Sequence, residues 1–90
     1  MSFEKAQIVR SLRGHDSGRL FCVMDAADGW LLLADGKGRR VSSPKRKNEK
    51  HVVLLEGCCH PTIEKVRNGQ PVRDKELRIA LAVIRDEMEV

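Results

Sequence analysis

His15, Asp16 and Ser17 stand side by side in the chain. Together they are the residue types of a nucleophilic relay, in which a carboxylate orients an imidazole that deprotonates a hydroxyl. Immediate neighbours cannot face one another in that order, so the triplet is not read as catalytic. Gly14 and Gly18 frame the same stretch in the manner of a phosphate-binding loop. That reading fails because the Gly-Lys-Ser/Thr ending is missing and the next residues read as a strand rather than a helix. Cys58, Cys59 and His60, with Cys22 or His51, are metal-ligand types. Adjacent cysteines rarely point at one ion, and there is no Cys-x-x-Cys pair. The expectation is therefore no catalytic residue, no metal and no cofactor. Cys22 reads as a small core hydrophobe, and Cys58 and Cys59 as part of a sheet-to-helix connection. An odd set with one adjacent pair reads as reduced thiols, not a disulfide framework.

What remains is a constellation of cations. Residues 1–35 carry four basic and five acidic side chains, residues 36–55 carry seven and one, and residues 56–90 carry six and seven. The whole excess of the +4 formal charge thus lies in one segment. Its cations are Lys37, Arg39, Arg40, Lys45, Arg46, Lys47 and Lys50, interleaved with Gly36, Gly38, Ser42, Ser43 and Pro44. Turn formers mixed with cations predict an exposed loop or strand edge whose natural ligand is a polyanion. A solvated run that serves only solubility has the same composition. Because exposed charges contribute little to stability, reversing Lys45, Arg46 and Lys47 is expected to leave the fold intact.

These residues must be positioned by short elements. Gln7 to Leu12 reads as a strand, and the turn Arg13-Gly14-His15-Asp16-Ser17-Gly18 leads into a second strand over Arg19 to Asp25. Trp30 to Ala34 reads as a third, with Asp28-Gly29 before it and Asp35-Gly36 after it as tight-turn pairs. Arg39 to Ser43 is expected to add an edge strand ended by Pro44, and His51 to Leu55 a last strand. Five short strands on brief turns predict a small barrel. Several are apolar at consecutive positions, so both sheet faces must be covered. The cover is expected from the C-terminal third. Pro61 opens a short helix that Asn68-Gly69 ends, and a longer one runs from Asp74 to Met88. On the longer helix Leu77, Ala80, Leu81, Ile84 and Met88 recur at helical spacing, with Arg78, Arg85 and Glu89 on other sides. That face is expected to be core rather than a docking surface, since an exposed apolar stripe would invite association.

Ninety residues suffice for one small domain. A 33% charged and 41% hydrophobic composition, with the apolar residues in discrete runs, predicts a folded protein rather than a disordered one. No run approaches the ~20 apolar residues of a membrane span, and the first residues lack a secretory pattern. The expected location is the cytoplasm. Phe3, Phe21 and Trp30 are the only aromatic residues, so stacking platforms for unpaired bases are scarce.

The stretch from Val9 to Val23, with its glycine-framed turn between two strands, resembles the KOW motif of ribosomal and transcription-elongation proteins. In that motif a Gly-basic-Asp-basic-Gly-basic loop joins two strands of an SH3-like barrel, and Gly18 matches the hallmark glycine. Ala34-Asp35-Gly36 through Arg39-Arg40-Val41 to Pro44-Lys45-Arg46-Lys47 and Lys50-His51-Val52 is similar to the basic segment of one KOW branch. That branch holds the archaeal and eukaryotic large-subunit ribosomal protein number fourteen and short bacterial RNA-binding relatives. The likeness spans residues 6–55. It implies an SH3-like five-stranded barrel over residues 1–57, and with the two helices read from the residues themselves the expected fold is mainly β with a C-terminal α portion, a helical extension over 58–90 packed on the barrel as one unit. The likeness also implies binding of structured RNA, ribosomal or ribosome-associated, through Arg13, His15, Arg19, Lys37, Arg39, Arg40, Lys45, Arg46, Lys47 and Lys50, with Gly14 and Gly18 shaping the turn. His15 and Ser17 stand where relatives carry Lys or Arg, which shifts weight to the downstream segment. With so few aromatics, recognition by backbone geometry is expected over a base-by-base code. The competing expectation is a protein-interaction module of the translation or transcription machinery, using the barrel and the C-terminal helix.

Overall fold

The computed structural model describes residues 3–88. Its elements in chain order are β1 (Ile8–Ser11), β2 (Leu20–Ala27), β3 (Trp30–Ala34), β4 (Lys45–Asn48), a 3-10 turn (Glu49–His51), β5 (Val52–Leu55), α1 (Pro61–Arg67) and α2 (Asp74–Met88). The fold is mainly β, one antiparallel sheet in the order β4-β3-β2-β1-β5 followed by two helices. Asp28 and Gly29 turn the β2–β3 hairpin with φ of 53° and 82°, the two positive values that a two-residue type I′ turn demands.

The second Asp-Gly pair behaves differently. Asp35 Oδ1 accepts the backbone N–H groups of Lys37 at 2.9 Å and Arg39 at 2.8 Å, and Asp74 Oδ1 accepts that of Val41 at 2.7 Å. With those amides held by carboxylates, the strand expected over Arg39–Ser43 does not form. The edge strand instead begins after Pro44, as β4. His51, expected to open the last strand, closes the 3-10 turn, where the Asn48 side chain caps the N–H of Lys50.

Strands β4 and β5 lie on opposite edges of the sheet. In a flat sheet four spacings of about 4.8 Å would separate them by roughly 19 Å. A single 3-10 turn, rising about 2 Å per residue, cannot span that distance. The sheet must therefore curl until its edges approach. Lys47 of β4 accordingly donates to Ser11 Oγ of β1 at 2.6 Å, although β3 and β2 lie between them in the sheet. Strand pairing does not join β4 to β5, so the barrel-like curl keeps two edges.

Curling divides the apolar residues into two cores. Val9, Phe21, Val23, Leu31, Leu33 and Val52 fill one face. Ile8, Leu20, Cys22 and Ala34, their neighbours along the same strands, pack on the other with Ile63 and Val66 of α1 and Leu77, Ala80, Leu81 and Ile84 of α2. The consecutive apolar positions are thereby explained, because β1, β2 and β3 each feed both cores. In α1, Pro61 takes the first turn and His60 Nδ1 caps the N–H of Thr62 at 3.1 Å. Beyond its end Gly69 has φ 73°, the left-handed conformation that suits glycine after a helix. The apolar face of α2 is core as expected, except that Met88, the last residue of the helix, is exposed. Glu89 lies outside the described residues. No helix among the described residues is long and apolar enough to cross a membrane.

Candidate nucleic-acid interface

The turn between β1 and β2 is built by backbone bonds that its glycines permit. The N–H of Gly18 donates to the carbonyl of Ser11 at 2.8 Å and that of Arg19 to Asp16 at 3.0 Å. Gly14 and Gly18 have φ of 89° and 87°, the left-handed region in which a β-carbon would be strained. Arg13, His15 and Arg19 project to solvent, while Asp16 turns inward.

Asp16 meets two residues that sequence reasoning had assigned to RNA. Lys47 Nζ lies 2.8 Å from Asp16 Oδ1 and Lys45 Nζ 2.7 Å from Asp16 Oδ2. Lys47 also donates to Ser11 Oγ at 2.6 Å and to the carbonyl of Arg13 at 2.6 Å, and the Ser11 hydroxyl donates to Asp16 Oδ1 at 2.9 Å. An ammonium has three N–H donors, and all three of Lys47 are used. Lys47 is buried and Lys45 half-buried. The expectation that this run is an exposed phosphate grip is therefore corrected at Lys47, which is a structural tie between β4 and the β1–β2 turn. Lys45 faces the same way and is engaged by the same carboxylate. Only Arg46 of the three points outward. The cause is strand alternation: β4 pairs Lys45 with Leu33 and Lys47 with Leu31, both core residues, so the two lysines follow the inward face. Asp16 had drawn notice only as a neighbour of His15.

Burial by itself would raise the Asp16 carboxyl, but hydrogen bonds from Lys45, Lys47 and Ser11 and the Lys47 charge outweigh it and hold the group well below the usual carboxylate range. A depressed folded-state value means stability that is present above the unfolded value near 3.9 and lost as pH falls below it. Urea midpoints should therefore drop steeply between about pH 4 and pH 2. Asp16→Asn should start lower and show a flatter acid limb. An unchanged limb in the variant would remove Asp16 from this role.

The other sequence-predicted cations are displayed. Arg13, His15, Arg19, Lys37, Arg39, Arg40, Arg46 and Lys50 are all exposed. Among the described residues none of them has a carboxylate within ion-pair distance. Arg46 lies over the ring of Trp30, 4.1 Å from its centroid, a cation–π contact on the outer surface of β3 and β4. Arg19 and Lys37 come together at a cleft of about 320 Å³, also lined by Gly18, Leu20, Asp35 and the α2 residues Arg78, Leu81, Ala82 and Arg85. Arg78 and Arg85 were not singled out as ligand residues, because helical spacing shows which side of α2 is apolar but not what lies beside its other sides.

Burial pushes the Cys22 thiol up to about 12, so it packs as a neutral hydrophobe. Cys58 is raised by burial and by the Glu87 charge, and Cys59 is exposed. No group of three or more His, Cys, Asp or Glu side chains able to hold a metal occurs among the described residues. No protein-family model and no curated protein matches the chain.

Proposed function

We propose that the protein binds structured RNA through its phosphate backbone, using the exposed cations of the β1–β2 turn and of the connection between β3 and β4. The observation that carries this reading is the split within the basic segment. Lys45 and Lys47 are taken up by Asp16, yet Lys37, Arg39, Arg40, Arg46 and Lys50 remain exposed and are not neutralised by neighbouring carboxylates. Anchoring supports the same reading: Asp35 and Asp74 fix the backbone around Arg39 and Val41, which lowers the ordering cost of presenting those charges to a ligand. Phosphate contacts of this kind position a protein on RNA without reading bases, in keeping with the scarcity of aromatic side chains. The resemblance to the KOW branch points the same way. The reading includes a ribosomal or ribosome-associated RNA as target, the cytoplasm as location and no catalytic activity.

The test is a salt titration with a labelled RNA hairpin. Affinity should fall with a log–log slope of about −3 to −5 if four to six phosphates are engaged. Arg39→Glu with Arg40→Glu should weaken binding at least tenfold while leaving the thermal midpoint in place. Salt-independent binding, or a double variant that binds like the parent, would sink the proposal. A salt-tolerant protein complex in its place would favour the interaction module.

A further inference from the structure

We infer that the phosphate-backbone surface continues into the cleft between the β1–β2 turn, the β3–β4 connection and α2, where Arg78 and Arg85 of α2 act with Arg19 and Lys37. The inference rests on the RNA-binding reading and extends it to a helix that otherwise serves only as core cover. Its occupant is a stretch of RNA backbone.

Four cations from three separate segments line this cleft, against one carboxylate, Asp35. Asp35 Oδ1 already accepts two backbone N–H groups, so its charge is partly engaged within its own turn. Arg19, Lys37 and Arg78 have no ion-pair partner among the described residues, and Arg85 has only a loose approach to its neighbour, with Nε 3.9 Å from Asp86 Oδ1. Like charges repel, so such a cluster is stabilised by an anion placed between its members. The floor is apolar, from Leu20, Leu81 and Ala82. A cleft with low-dielectric walls and one sign of charge focuses potential on whatever enters it.

The walls are also fixed relative to one another. Gly36 packs so closely on the first turn of α2 that a β-carbon would fall 2.2 Å from the Asp74 carbonyl oxygen. The Asp74 side chain ties down Val41 at 2.7 Å. Arg19 lies against the same connection, since a β-carbon on Gly38 would meet its Nη1 at 3.4 Å. Arg78 and Arg85 are separated by seven residues, two helical turns or about 10 Å along the axis. That spacing lets them touch separate phosphates of one strand, while arginine forks suit phosphate oxygens geometrically.

The experiment uses the full chain and three double variants. Arg78→Gln with Arg85→Gln should lower affinity for the RNA hairpin roughly tenfold and reduce the salt slope by about 2. Arg78→Lys with Arg85→Lys should restore much of the slope, because lysine keeps the charge. Arg78 and Arg85 are exposed on α2, so unchanged thermal midpoints are expected and serve as the folding control. In the parent protein, NMR titration with the hairpin should shift the amide of Gly18 and the Nε–H signals of Arg78 and Arg85. Parent-like binding by the Gln pair, with Arg39→Glu/Arg40→Glu still impaired, would overturn this site and leave the RNA-binding reading standing. Failure of the parent protein to bind the hairpin would overturn both. Inorganic tripolyphosphate gives a further arm. Saturable binding there tighter than that of the hairpin at equal salt would assign the cleft to a small phosphorylated ligand and overturn the RNA-backbone assignment.

Discussion

Lys47→Ala is expected to destabilise the domain by about 3 kcal/mol, within the range of roughly 3–5 kcal/mol for breaking a buried ion pair on one side. Removing the ammonium strips Asp16 Oδ1, Ser11 Oγ and the Arg13 carbonyl of a shared donor. It leaves a buried carboxylate held by Lys45 at the other oxygen and, at Oδ1, only by the neutral Ser11 hydroxyl. The remaining lysine keeps the loss toward the lower end. Arg46→Ala should cost no more than about 1 kcal/mol, since an exposed cation–π contact is worth about 0.5–1 kcal/mol. Urea unfolding of the two variants measures the contrast directly. Equal, small losses would mean that Lys47 is solvated like its neighbour and that the tie between β4 and the turn is not structural. The expectation from composition, that reversing Lys45, Arg46 and Lys47 together spares the fold, is replaced by the opposite one, with the damage assigned to position 47.

That reversal shows where sequence reading reaches its limit. The third strand, the short helix opened by Pro61 and the helix from Asp74 to Met88 were legible because periodicity and capping residues are local signals. The need for cover on both faces of the sheet was legible too, from consecutive apolar residues in β2 and β3. The edge strand was misplaced because the amides of Lys37, Arg39 and Val41 are claimed by Asp35 and by Asp74, and the latter is distant in sequence. Once β4 is set at Lys45–Asn48, period-two alternation is enough to turn Lys47 inward. Composition counted it as one more exposed cation. The exposed members of the basic segment, Lys37, Arg39, Arg40, Arg46 and Lys50, were legible from charge clustering. Arg78 and Arg85 were not, because only the docking of α2 beside the β1–β2 turn brings them to Arg19.

Gly36→Ala is expected to be the most damaging single-methyl change in the chain, costing about 4 kcal/mol or more from positive-φ strain and overpacking together. Gly36 has φ 75°, and an added β-carbon would lie 2.2 Å from the Asp74 carbonyl oxygen and 2.9 Å from the Arg78 backbone nitrogen. Those atoms belong to a helix whose other side is locked into the core through Leu77 and Leu81, so they cannot yield as a side-chain tip would. Two glycines act as controls. Gly18→Ala shares the positive φ but meets nothing within 4 Å, so strain alone applies, about 1–2 kcal/mol. Gly38→Ala lacks the positive φ and meets only the flexible end of Arg19 at 3.4 Å, which predicts a change within about 0.5 kcal/mol. The expected order in urea titrations is Gly36, then Gly18, then Gly38. A Gly36 variant as stable as the Gly38 variant would mean that the β3–β4 connection does not seat on α2. The cleft would then lose the contact that holds Lys37 beside Arg78, so this stability measurement also bears on whether those cations can act on one strand of RNA.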